Sequence, residues 1–252
     1  MGVIINASYN IVTTNGGTMS IKVKLDQILG SKIRKVLAKK LKSRKVLEIL
    51  SKDEECLVRR AVARNLSASQ EILRILSKDK DCTVRYAVAE NLNTSQEIIG
   101  ILSKDEDCNV RYAVASNPNT PQEIINSLSK DEECLVRFMV AANSNISLEI
   151  LETLAKDEDY DVRSAVAANQ NTSTEILESL SKDAEWTVRW TVAENLNTSP
   201  KILRSLSEDE IWYIRHAVAH NINTDKETLE ILLNDENSQV RYTATIIQQL
   251  KN

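Results

Sequence analysis

The chain predicts an all-α solenoid of eight tandem 26-residue repeats, each a short helix pair. Three observations predict it. Val-Arg or Ile-Arg recurs every 26 residues, from Val58-Arg59 through Val84-Arg85 and Val110-Arg111 to Val240-Arg241, with no insertion or deletion. A fixed period of this length marks units that contact only their neighbours. The 252 residues hold only 5 Gly and 3 Pro, which suits helices joined by short turns. Within one period the signals for starting and ending a helix appear twice.

Residues 105–130 illustrate one repeat. Asp105 is the expected N-cap of a first helix, A, with Glu106 and Asp107 in its first turn, where the helix dipole favours acids. Cys108 to Ala115 form its body, and Asn117 ends it in the left-handed conformation that Asn tolerates. Thr120, Pro121 and Glu123 then read as a capping box for a second helix, B, whose apolar stripe is Ile124, Ile125 and Leu128. Helices of about ten residues are too short to be stable alone in water, so stacking must stabilise them.

The elements in VRYAVASNPNTPQEIINSLSKDE resemble the leucine-rich repeat variant family, a relative of HEAT repeats. The resemblance covers roughly residues 43–252. It implies a right-handed α-solenoid of helix pairs, α/α or α/3₁₀, and it implies no single activity. Some relatives have an N-terminal cysteine cluster for iron–sulphur binding; residues 1–55 here contain no Cys, so that feature does not transfer.

Three segments are expected. Residues 1–30 are an extension, uncharged and then basic, and partly disordered. Residues 1–19 are either disordered or a small hairpin around Asn15-Gly16-Gly17, with Met19 an alternative start. Residues 31–52 are a basic, degenerate capping repeat. There Val36 aligns with Val62, Ile33, Val36, Leu37 and Leu41 form an apolar stripe, and lysines cover the rest as the polar outer face of a cap. Residues 53–252 are the repeats proper, closed by a last A helix from Val240 to Leu250.

Charge is unevenly spread. Residues 20–45 carry ten Lys or Arg against Asp26, which leaves residues 46–252 at −13 within a total of −4. An acidic array disfavours wrapping nucleic acid, whose binding needs many cationic contacts. The basic cap is the alternative: Lys35, Lys39, Lys40 and Lys42 are candidates for binding nucleic acid or an anionic surface. No run of apolar residues is long enough to span a membrane, and no charge precedes the first apolar stretch as in a secretory leader. A cytoplasmic location is expected.

Constant columns read as structure. Asp at 53, 79, 105 and onward, with Arg six residues later, reads as a ladder in which each Arg bridges to a neighbouring repeat. Cys56, Cys82, Cys108 and Cys134 stand one period apart, and stacked helices lie ~8–10 Å apart. That is too far for a disulfide, and four thiolates sharing a metal need comparable closeness. They read as partly buried packing. No nucleophile–base set or phosphate loop appears, and no catalytic residue, cofactor or metal is assigned.

Variable columns mark the expected working face. Three positions of helix A, spaced 0, 3 and 7, share one side. The middle column is Arg60, Tyr86, Tyr112, Phe138, Ser164, Trp190, His216 and Tyr242, which holds five of the ten aromatic residues. The flanking columns are mixed and mostly polar, from Leu57 and Arg64 to Gln239 and Ile246. Aromatic anchors inside a polar frame resemble an interface. Tyr86, Tyr112, Phe138, Trp190, His216 and Tyr242 are therefore the candidate contacts of a non-enzymatic scaffold for a protein or peptide partner. The alternative is that the rings pack along neighbouring helices. His216, His220 and Glu194 also have the spacing of zinc ligands, although chance accounts for it.

Overall fold

The computed structural model describes residues 4–5, 11–12, 18–19 and 29–251, which fall into two compact units, 1–119 and 120–252. Three two-residue strands, β1 (Ile4–Ile5), β2 (Ile11–Val12) and β3 (Thr18–Met19), pair antiparallel in the order β1-β2-β3, with Ile4 opposite Val12 and Ile11 opposite Met19. Residues 1–19, expected as disordered or a small hairpin, contribute these three short strands among the described residues.

Everything else described is helix and turn. In the first unit the A helices are α1 (Ser31–Lys40), α3 (Cys56–Ala63), α5 (Cys82–Glu90) and α7 (Cys108–Ser116). Its B helices are α2 (Arg44–Leu50), α4 (Gln70–Leu76) and α6 (Gln96–Leu102). The second unit opens with the B helix α8 (Gln122–Leu128). Its A helices are α9 (Cys134–Ala141), α11 (Tyr160–Ala168), α13 (Trp186–Glu194), α15 (Trp212–His220) and α17 (Ser238–Lys251). They alternate with the B helices α10 (Leu148–Leu154), α12 (Thr174–Leu180), α14 (Pro200–Leu206) and α16 (Lys226–Leu232). Both helices of every described pair are α-helical, which resolves the α/α or α/3₁₀ alternative.

Within each unit, adjacent A helices pack directly on one another, and each B helix packs on the A helices before and after it. The residues dictate this. Ala61, Ala87 and Ala113 are small, so neighbouring A helices approach closely, and Val58, Val84 and Val110 are fully buried between them. Each seven-residue B helix contributes a wedge such as Ile72, Leu73 and Leu76. Burying each of these side chains stabilises the stack by ~1.5–3 kcal/mol, which offsets the helices' weakness in isolation.

The caps lie elsewhere than expected. Asp107, not Asp105, caps α7, accepting from the Asn109 N–H at 2.9 Å. Asp105 belongs to the ladder and also accepts from the Asp107 N–H. Helix α8 begins after Pro121, which stands at the N-cap position in place of the expected Thr120 and makes no side-chain cap bond. The Thr column is buried instead: Thr94 donates to the Val88 carbonyl at 2.6 Å. The residue after it caps helix B, as Ser95 does for α6. Asn117 is extended (φ −75°, ψ 121°), not left-handed.

That column of Asn stitches repeats together. Asn195 Nδ2 donates to the carbonyls of Ala167 (2.6 Å) and Asn169 (3.3 Å), while its Oδ1 accepts from the Asn197 N–H. Asn195→Asp removes the donor and sets a carboxylate against two carbonyls. It is expected to cost about 1–3 kcal/mol or more, seen as a fall in the urea midpoint; an unchanged midpoint contradicts this role.

The ladder is a bidentate ion pair from the Arg of one repeat to the Asp of the next, while the guanidinium of Arg241 in the last repeat donates, among the described residues, only to the carbonyls of Asp235 and Glu236. Arg59 Nε and Nη2 lie 2.6 and 2.9 Å from the Asp79 carboxylate, and Nη1 donates to the carbonyl of Asp53 in its own repeat. Arg85–Asp105, Arg137–Asp157, Arg163–Asp183, Arg189–Asp209 and Arg215–Asp235 repeat the geometry.

Helix α1 corrects the reading of the cap. Arg34 pairs with Asp53 at 2.6 and 3.0 Å, and the Ala38 carbonyl accepts from Asn65. Arg34 and Ala38 therefore stand for Arg59 and Ala63, an offset of 25 residues rather than 26. The expected stripe is out of register: Arg34 and Ala38 are buried, whereas Ile33 and Val36 are 50 % and 48 % exposed. The outer face of the cap is thus partly apolar.

Candidate functional site

The 0, 3 and 7 positions of the A helices form an accessible face in each unit. In the first, Arg60, Tyr86 and Tyr112 are half-buried, while Leu57, Thr83, Asn109, Arg64, Glu90 and Ser116 around them are exposed. In the second, Phe138, Ser164, Trp190 and His216 are half-buried and Tyr242 is exposed. Each half-buried ring of the row is partly covered by its neighbours and partly open to solvent.

The size of the middle residue decides the relief. Ser164 interrupts the row between Phe138 and Trp190, and Ala142 and Ala168 keep the rim low. The result is a cleft of about 430 Å³ with Phe138 and Trp190 as lining rings. Ser164 and Thr191 are also part of the lining and share a hydroxyl hydrogen bond of 2.9 Å. Glu194 lines the same cleft; burial raises its carboxyl pKa although His220 opposes the shift.

Aromatic surface extends past the expected column. Trp212 stacks on Tyr213 at 3.9 Å, Tyr213 meets Trp186 at 6.3 Å, and Trp212 meets His216 edge-on at 6.3 Å. Tyr160 and Trp186, which stand in the column that begins with the cysteines, are exposed, as is Tyr213 in the adjacent Leu57 column. The sequence reading also missed the position after each Asn, where Leu66, Leu92, Leu196 and Ile222 are exposed. Its signal was an apolar residue in a turn. Leu66 and Leu92 line a first-unit cleft of about 340 Å³ with Arg64 and Glu90, which pair at 2.7 Å.

The basic candidates divide. Lys35 and Lys39 line a pocket of about 110 Å³ with Leu57, Arg60, Ala61 and Arg64. Lys40 and Lys42 are exposed and take no part in it.

The titratable groups have partners of their own. The Cys56 and Cys82 thiols are pushed up by hydrogen bonds to Asp81 and Asp107, and Cys134 by burial and then Asp159, so none is an activated nucleophile. Burial, then His220, holds His216 below the usual imidazole range, and its Nε2 lies 3.0 Å from the Thr243 hydroxyl. Among the described residues no group of three His, Cys, Asp or Glu is placed to hold a metal. No helix among them is long and apolar enough to cross a membrane.

The chain is similar to the solved structure described as a leucine-rich repeat variant with a novel repetitive protein structural motif. The two are 28 % identical over 86 % of this chain and 82 % of that one, with a TM-score of 0.62. YibA of Escherichia coli is similar at 21 % identity over 86 % of this chain and 96 % of its own, with a TM-score of 0.53, a likeness of fold alone. No family model and no curated protein matches the sequence. The resemblance read from the repeats therefore holds in three dimensions.

Proposed function

We propose that the protein is a non-enzymatic repeat scaffold whose A-helix face binds a segment of a protein or peptide partner. The observation that carries this reading is the cleft between Phe138 and Trp190, open to solvent, with Ala142 and Ala168 on its low rim and Glu194 as its exposed polar side chain. Rigid rings flanking a gap in their own row suit a bulky apolar anchor from a partner, with the rim excluding water. The Arg–Asp and Asn bonds behind the face hold it in place, so little ordering cost falls on the scaffold when it binds.

The experiment is a selection from a displayed random-peptide library, with Phe138→Ser/Trp190→Ser protein as the counter-target. Enrichment of peptides with spaced apolar anchors that bind the native protein and not the variant is expected. Peptides that bind both equally would remove the aromatic face as the site.

A further inference from the structure

The one-residue offset of α1 extends the A face in a way the 26-residue period hides. With Arg34 in the place of Arg59, Lys32, Lys35 and Lys39 take the 0, 3 and 7 positions held by Leu57, Arg60 and Arg64. The first two A helices thus present five cations and one leucine on the face that continues with Tyr86 and Tyr112. Lys35, Lys39, Arg60 and Arg64 converge on one pocket, with Leu57 and Ala61 as its apolar lining.

These charges are left largely uncompensated. Arg64 is paired with Glu90, but Lys35, Lys39 and Arg60 make no ion pair among the described residues. Helices α1 and α3 contain no Asp or Glu, and Asp26 is the only acid in residues 1–28. Like charges gathered on one partly desolvated pocket repel one another unless an anion joins them.

We propose that this pocket receives the carboxylates of an acidic segment in the polypeptide that lies along the A face, an assignment that rests on reading that face as the partner surface. Two observations favour an acidic peptide over nucleic acid. The pocket, about 110 Å³ with an apolar lining, suits one carboxylate-bearing side chain and is small for a nucleotide. Beyond it the face loses its positive charge, passing to Glu90 and the two tyrosines, whereas a phosphate backbone needs a continuing row of cations. The arrangement also gives the partner a direction along the first unit: acidic residues at α1 and α3, apolar ones at Tyr86 and Tyr112.

The test uses the full chain and a fluorescein-labelled peptide in which a run of glutamates precedes leucine and tryptophan. A lysine counterpart and duplex DNA are the comparisons, and circular dichroism checks the fold of each variant. The glutamate peptide is expected to bind, and to weaken as salt shortens the screening length toward about 3 Å. Lys35→Glu/Arg60→Glu is expected to lower its affinity about tenfold or more, and the milder Lys39→Gln, at an exposed site, to lower it less.

No binding of the glutamate peptide, or equal binding by both charge variants, overturns the proposal. Tighter binding of DNA that is lost in the same variants overturns it in favour of nucleic acid. Tyr86→Ser/Tyr112→Ser separates the two readings. If that variant loses the peptide while the charge variants keep it, the acidic site falls and the A face stands. If only the charge variants lose it, the pocket stands and the aromatic row falls.

Discussion

Arg215→Ala is expected to destabilise the second unit by about 3–5 kcal/mol. Arg215 is 7 % exposed, and its guanidinium serves two repeats at once. Nε and Nη2 hold the Asp235 carboxylate at 2.6 and 3.0 Å, and Nη1 holds the carbonyls of Asp209 and Glu210. Truncation strands a buried carboxylate that keeps the hydrogen bond from the Asn237 N–H. Removing both charges is different: Arg215→Met/Asp235→Leu is expected to regain most of the loss, since apolar groups of similar volume leave no charge unpaired. All three tryptophans, Trp186, Trp190 and Trp212, lie in this unit, so indole fluorescence during urea unfolding reports on it directly. Equal losses in the single and double variants would mean that shape rather than charge sets the cost.

The same ladder sets a pH dependence. At Asp183 and Asp235 burial pulls the carboxyl pKa up. The paired arginines, Arg163 and Arg215, together with backbone N–H bonds, outweigh burial and leave both below the usual carboxylate value. A folded value below the unfolded one means the contribution is full above the unfolded carboxylate pKa, ~3.9. It is then lost as pH falls through the folded values. The urea midpoint is therefore expected to hold near neutrality and fall below about pH 4. In Arg215→Ala, burial of Asp235 is no longer outweighed, so the fall begins at higher pH. A profile unchanged by the substitution contradicts this account.

Trp190→Ser is expected to lower the affinity of a peptide selected on the A face by at least ~30-fold, the effect of losing a central aromatic anchor. Ser164→Tyr is the sharper companion. It completes the aromatic row but fills the cleft between Phe138 and Trp190. If the cleft is where the partner anchors, binding is lost although a ring has been added. If the row acts as a continuous apolar rail, binding strengthens. Isothermal titration of both variants with the same peptide distinguishes these outcomes.

The parts of this molecule that were legible in the sequence are those repeated eight times. Arg and Asp at a constant separation announced a ladder, and small and branched residues at Ala61, Val62 and their counterparts announced close-packed A helices. Local grammar was less decisive. Asp105 and Asp107 are both plausible caps, and only the demand of Arg85 for a carboxylate assigns Asp105 to the ladder. Thr120 and Ser95 show the same ambiguity: one hydroxyl column turns inward and its neighbour caps. The sequence misaligns helix α1 because its Asp and Asn equivalents are missing, and the bonds Arg34–Asp53 and Asn65–Ala38 reveal its register. Trp186 and Leu92 are exposed although a large apolar side chain in a repeat is ordinarily read as core.

The central claim is that partners engage the A helices, and the B helices offer a fair rival, since Ile75, Ile101 and Leu148 are exposed apolar residues there. Site-specific photo-crosslinking tests it most directly. A benzophenone side chain is placed singly at Tyr86, Trp190 or Tyr242 on the A face, and at Ile75, Ile101 or Leu148 on the B side. Each protein is then irradiated with the selected peptide. Adducts from the A positions and none from the B positions are predicted. Adducts confined to Ile75, Ile101 and Leu148 would contradict the claim and move the binding surface to the opposite side of the repeats.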